Sequence, residues 1–186
     1  VTVDLHTDQM EGFFEVPLHH LRSADIFVEA LQQEKLEPVV VVSPDFGSHK
    51  MAKRLAQKLG SELAIVDKTR GALAVQSNSL MGEVRGKSAL IVDDICSTGA
   101  TLRSAAKACL ENGATKVYAL VTHFLLDREE EIKEIEKIFV TDSVAREGVS
   151  QRPKVPLHKL SIAPLLAAVV EPTFSMNITG SIHETI

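Results

Sequence analysis

Short apolar runs alternate along this chain with longer stretches whose apolar residues recur at helical spacing. A strand buried on both faces needs a nearly continuous apolar run. On that basis the pattern predicts strands at Val1–Leu5, Pro38–Val42, Leu63–Asp67, Ala89–Val92, Lys116–Thr122, Lys137–Thr141 and Leu157–Ser161. Helices are predicted between them. Asp25–Lys35 carries Ile26, Phe27, Ala30 and Leu31 on one face. Ser48–Leu59 carries Met51, Ala52, Leu55 and Leu59, with Gly60 as a stop signal. Thr101–Glu111 ends at Asn112-Gly113, and Asp127–Lys137 is charged with Ile132 and Ile135 as its apolar side. Pro164 suits the first turn of a helix through Val170. Strands alternating with helices predict an α/β fold, a mostly parallel twisted sheet flanked by helices.

One stretch breaks the pattern. Lys68–Gly86 is rich in small and polar residues and lacks a clear period, which predicts a long functional or mobile loop. There is no internal repeat, and the polar connection Gly148–Pro156 is no domain boundary, so one domain is expected over residues 1–186.

Composition narrows the function classes. With 45% apolar and 24% charged residues the chain is neither disordered nor fibrous. Its longest apolar runs, Pro38–Ser43 and Ala163–Val170, are too short to span a membrane. A net charge of −5, one Tyr and no Trp argue against a nucleic-acid partner. Cys96 and Cys109 make no disulfide framework, so a cytoplasmic setting is expected. No Cys/His cluster has zinc-ligand spacing. The chain opens without Met in a strand-like run, which points to a missing N-terminal part.

The strongest chemical signal is Ala89-Leu90-Ile91-Val92-Asp93-Asp94-Ile95-Cys96-Ser97-Thr98-Gly99-Ala100-Thr101. A buried strand ends in two acidic residues, a small hydroxyl-bearing loop follows, and a helix begins. Ligands of parallel sheets bind outside the carboxyl ends of the strands. A helix N-terminus offers free N–H groups and a positive dipole end to a phosphate. Thr98 and Thr101 add hydroxyl donors, and Gly99 permits close backbone approach. Asp93 and Asp94 repel an anion, so their task is sugar hydroxyls or a metal. The bland alternative is a strand end with a helix cap, in which Asp94 or Thr101 caps and Asp93 is solvated.

This run resembles the phosphoribosyl pyrophosphate loop of type I phosphoribosyltransferases and of ribose-phosphate pyrophosphokinases. The resemblance implies that Asp93 and Asp94 meet ribose hydroxyls, while Ser97, Thr98, Gly99, Ala100 and Thr101 hold the 5-phosphate. Three further segments favour the pyrophosphokinases. Val3-Asp4-Leu5-His6-Thr7-Asp8-Gln9-Met10-Glu11-Gly12-Phe13-Phe14 is similar to their Asp-Leu-His…Gly-Phe-Phe segment. Strand alternation would place Asp4 and His6 on one face, able to converge on a metal or a nucleotide phosphate. Ser43-Pro44-Asp45-Phe46-Gly47-Ser48 is similar to their Ser-Pro-Asp-x-Gly-Gly segment, with Ser48 where a second Gly is usual. Lys68-Thr69-Arg70 is similar to the Lys-x-Arg of their flexible catalytic loop, here about residues 68–86.

The match runs from Val1 to about Asp142 and resembles the C-terminal half of a two-domain ribose-phosphate pyrophosphokinase. It implies transfer of a diphosphoryl group from ATP to O1 of ribose 5-phosphate, giving 5-phosphoribosyl 1-pyrophosphate and AMP. It implies Mg2+ as cofactor, with His6 and Asp45 on the metal side. Lys68 and Arg70 would stabilise the moving group, Arg70 also meeting ribose 5-phosphate. A homo-oligomer, commonly a hexamer in the family, is implied, with adenine contacts from the missing N-terminal half. The competing readings are a nucleobase phosphoribosyltransferase and a non-catalytic pyrophosphokinase-like regulatory subunit. Cys96 reads as a packing residue, and His123 as either structural or close to the site.

Overall fold

The computed structural model describes residues 1–34, 36, 38–70, 76–126, 132–145 and 154–171, with backbone alone at 68–70 and 76–78. The strands are β1 (Thr2–Val3), β2 (His20–Leu21), β3 (Val39–Ser43), β4 (Glu62–Arg70), β5 (Gln76–Met81), β6 (Ser88–Cys96), β7 (Lys116–Phe124), β8 (Lys137–Thr141) and β9 (Leu157–Leu160). The helices are α1 (Ala24–Glu34), α2 (His49–Leu59) and α3 (Ala100–Glu111), and residues 163–171 are also helical. Among the described residues, no helix is long and apolar enough to cross a membrane.

Seven strands form one sheet in the order β5-β4-β3-β6-β7-β8-β9, parallel except where β5 runs against β4. The α/β expectation holds. Alternation along each strand builds two cores. Val41, Leu90, Val92, Tyr118, Leu120 and Phe139 face α1 and α2, meeting Phe27, Ala52 and Leu55. Val40, Val42, Ala89, Ile91, Ala119, Val121 and Val140 face the other way, toward Leu102 and Ala105 of α3. Cys96 and Cys109 are buried thiols in this second core, so Cys96 packs as expected.

From β3 the chain moves one way across the sheet, through α2 to β4. From β6 it moves the other way, through α3 to β7. The strand order therefore reverses between β3 and β6, and a crevice opens beyond their carboxyl ends.

Three expectations need correction. The segment beginning at Lys68 is not a structureless loop: β4 continues to Arg70 and pairs with β5, with Lys68 opposite Asn78 and Arg70 opposite Gln76. An edge strand needs no apolar alternation, so the polar Gln76-Ser77-Asn78-Ser79 carries no strand signal of its own. Gly82, just past β5, lies close against β4: a Cβ there would stand 2.9 Å from Ala64 Cα. Second, the helix expected over Asp127–Lys137 is absent from its described part. Ile132–Glu136 forms turns, and Lys137 already belongs to β8, while residues 127–131 lie outside the described residues. Ile132 and Ile135 are three apart because one turn drops both into the core. Third, β1 is only Thr2–Val3, because Asp4 turns to φ 39° and ends the strand.

Candidate functional site

A cleft of about 590 Å³ lies at the crevice between β3 and β6, lined by His6, Asp45, Ser48, Asp93, Asp94 and Thr101 among others. Residues from three separate stretches of sequence meet there because β3, β6 and the segment after β1 all end on the same side of the sheet.

The acidic pair sits on the last turn of pleat of β6. Asp93 is 7% exposed and Asp94 is more open. Asp93 Oδ1 accepts from the Ser48 hydroxyl at 2.7 Å and from the Asp94 backbone N–H at 3.1 Å. Burial pushes the Asp93 carboxyl up to about 7; the charges of Asp94 and Asp45 push the same way, and the Ser48 hydrogen bond opposes them. Asp94 Oδ2 lies 2.8 Å from His6 Nδ1, and this contact raises the His6 imidazole above its ordinary value. Asp45, in the turn after β3, accepts the Ser48 backbone N–H at Oδ1 (3.1 Å), while the Ser43 hydroxyl donates to its carbonyl at 2.6 Å.

The adjoining loop is shaped for an anion. Ser97, Thr98 and Gly99 connect β6 to α3 around a small cavity of about 40 Å³ that also touches Asp93 and Thr101. Gly99 takes φ 73°, and a Cβ there would stand 3.2 Å from Ile132 Cδ1, so the position strongly favours glycine. No side chain caps α3, and its first turn holds no acidic residue. The N-cap position is Gly99, not Asp94 or Thr101, and Asp93 is buried rather than solvated. At that helix start Thr98 Oγ1 receives the Ala100 N–H at 3.3 Å. The remaining first-turn N–H groups point with the helix dipole toward the loop, as an anion site requires.

Residues 16–151 match the model of the phosphoribosyl transferase domain. This chain belongs to that family. It is 41% identical to the ribose-phosphate pyrophosphokinase of Thermosipho africanus over 91% of its own length and 55% of that protein. It is 36% identical to the ribose-phosphate pyrophosphokinase of Bacillus caldolyticus over 95% of its length and 57% of that protein. The crystal structure of phosphoribosylpyrophosphate synthetase from Mycobacterium smegmatis superposes with a TM-score of 0.80 at 34% identity, covering 93% of this chain and 57% of that one. The chain thus spans about half the length of the curated relatives it matches.

Of the residues singled out from sequence, this phosphoribosyl transferase domain brings His6, Asp45, Asp93, Asp94 and Thr101 to one cleft and sets Ser97, Thr98 and Gly99 beside it, with Ala100 opening α3. Lys68 and Arg70 lie at the far end of β4, with side chains outside the described residues. Asp4 does not share a face with His6. It is 4% exposed, and its Oδ2 accepts from the Ser23 backbone N–H at 3.1 Å and the Thr122 hydroxyl at 2.9 Å. It is a buried junction between the N-terminal segment and β7. His123 is structural too: its ring reaches Ser143 Oγ at 2.9 Å and the Val3 and Asp4 carbonyls at 3.1 Å.

Sequence reasoning missed two features. Ser48 entered as a departure from a glycine pattern, yet it links Asp45 to Asp93. Its partner in β6 is 45 positions away, so no local signal marks it. Asp8, Glu11 and His20 also bring their donor atoms within 4.8 Å of one another. These atoms are engaged already. The Leu5 N–H donates to His20 Nε2, which leaves the ring proton on Nδ1, facing Glu11. Arg22 and Lys50 pair with Asp8 and hold its carboxyl down at about 2. The cluster is a salt-bridge network rather than a cation site.

Proposed function

We propose that this chain carries the ribose 5-phosphate site of a ribose-phosphate diphosphokinase. The reaction would move the diphosphoryl group of ATP to O1 of ribose 5-phosphate, yielding 5-phosphoribosyl 1-pyrophosphate and AMP. The observation that carries this reading is the juxtaposition of an uncapped helix start with an acidic pair at one switch-point cleft. A sugar phosphate needs both: N–H donors for its dianion and carboxylates for its hydroxyls. Similarity to proteins named ribose-phosphate pyrophosphokinase supports the choice of reaction over nucleobase transfer.

In this reading Ser97–Thr101 fixes the 5-phosphate, and Asp93 and Asp94 accept from ribose hydroxyls and orient the anomeric oxygen. Lys68 and Arg70 stabilise the charge of the transferring group, and Arg70 also meets ribose 5-phosphate. Fixing the nucleophile against the β-phosphorus supplies most of the acceleration in phosphoryl-type transfer. The cleft also suits Mg2+, because Asp45, Asp93 and Asp94 offer hard oxygen donors in one place. Asp45 and His6 would hold the ion's side of the site, and bound Mg2+ would neutralise polyphosphate charge. The hairpin around residues 68–86 is the catalytic lid of this proposal, and the chain corresponds to the C-terminal domain of a longer two-domain enzyme. Exposed Phe13, Phe14 and Val16 support a homo-oligomer.

The test is phosphorus NMR of the protein with Mg-ATP and ribose 5-phosphate. New AMP and anomeric diphosphate resonances are expected, alone or after addition of the N-terminal half of a relative. Consumption of 5-phosphoribosyl 1-pyrophosphate with a free base, releasing pyrophosphate and a nucleotide while ATP stays intact, would favour the transferase reading. ATP left intact in both preparations contradicts the proposal.

A further inference from the structure

Ser48 makes two contacts that bridge the turn after β3 to β6. Its backbone N–H reaches Asp45 Oδ1 at 3.1 Å, and its hydroxyl reaches Asp93 Oδ1 at 2.7 Å. It precedes α2, but its side chain does not cap that helix. Its φ of −82° and ψ of 0° are open to any residue, so the backbone makes no demand for glycine here. The side chain is therefore free for another task, and the geometry supplies one.

A carboxylate turns easily about its last torsion, because that torsion has broad wells. Asp93 Oδ1 is held from two directions, by the Ser48 hydroxyl and by the Asp94 N–H. With Oδ1 tied back, Oδ2 is the oxygen left for the cleft that Asp93 lines. Without the hydroxyl, Oδ1 would keep only the longer 3.1 Å bond, in a cleft shared with Asp45 and Asp94. We infer that Ser48 is a positioning residue: its hydroxyl orients Asp93 for the ribose hydroxyls and couples the Ser43–Ser48 turn to the acidic pair. This rests on the ribose 5-phosphate reading above.

Calorimetric titration of ribose 5-phosphate and of inorganic phosphate into the wild type, Ser48→Ala, Ser48→Gly and Ser48→Thr tests it. Loss of a hydrogen bond to a charged group predicts that the Ala and Gly variants bind ribose 5-phosphate about tenfold more weakly. Inorganic phosphate, which in this reading is held by the N–H groups of the α3 loop, should bind all four proteins alike. Thr, which keeps the hydroxyl, should restore ribose 5-phosphate binding. A wild type that binds ribose 5-phosphate no better than Ser48→Ala and Ser48→Gly overturns the role of Ser48. Equal weakening of both ligands also overturns it, since that marks general loosening. A wild type that binds no ribose 5-phosphate overturns the functional reading itself, and the role of Ser48 falls with it.

Discussion

His6 Nδ1 and Asp94 Oδ2 stand 2.8 Å apart although 88 positions separate them in sequence. The pair joins the segment after β1 to the end of β6 at the mouth of the cleft. The His6 side chain is 73% exposed, so water screens the pair and it adds less than about 1 kcal/mol to the fold. Its value lies in placing an imidazole beside the acidic pair.

His6→Ala should accordingly leave the urea midpoint almost unchanged while weakening binding of Mg-ATP. Chemical denaturation and calorimetry on the same protein check this. A large loss of stability would assign His6 a structural role instead.

Asp93 makes stability depend on pH in a definite direction. Its carboxyl titrates near 7 when folded, against an ordinary value of 3.8. Below about pH 4 both states hold the proton, and the group has no effect. As pH rises toward 7 the unfolded chain ionises first, so stability falls, by an amount on the order of 4 kcal/mol, and levels off above 7. In metal-free buffer Asp93→Asn should flatten that slope and raise the melting temperature at pH 8, while abolishing ribose 5-phosphate binding. A variant with the wild-type pH slope would show that Asp93 ionises normally.

Asp4 should behave as a fold residue. Removing its carboxylate leaves the buried Ser23 N–H and Thr122 hydroxyl without their acceptor. Asp4→Ala is expected to cost about 3 kcal/mol of unfolding free energy, read from urea denaturation. Loss of metal binding with full stability retained would return Asp4 to the site.

Lys68→Ala should lower kcat by about a hundredfold or more, since a charge that acts on the transferring group stabilises the transition state. The dissociation constant for ribose 5-phosphate should barely move. Equal losses in both would remove Lys68 from the lid role.

The legible part of this molecule was whatever a single segment encodes. Ala89–Val92 and Pro38–Val42 announced themselves as buried strands, and the Asp93–Thr101 run announced a strand, loop and helix start, because these signals are local. The polar edge strand Gln76–Met81 was hidden, since its pairing partner rather than its own pattern makes it a strand. Asp4 was misplaced for a related reason. One residue at positive φ ended β1 and turned a side chain expected beside His6 into the core. The Ser48–Asp93 and His6–Asp94 contacts depend on the order of strands in the sheet, which no window of sequence contains.

The most direct test of the account is a phosphorus NMR titration of ribose 5-phosphate with this chain. The account predicts a saturable shift of the 5-phosphate resonance, reversed by inorganic phosphate and lost in Gly99→Val, which strains the φ of 73° and crowds Ile132. A resonance that stays fixed as protein is added, in a sample shown to be folded, would contradict it.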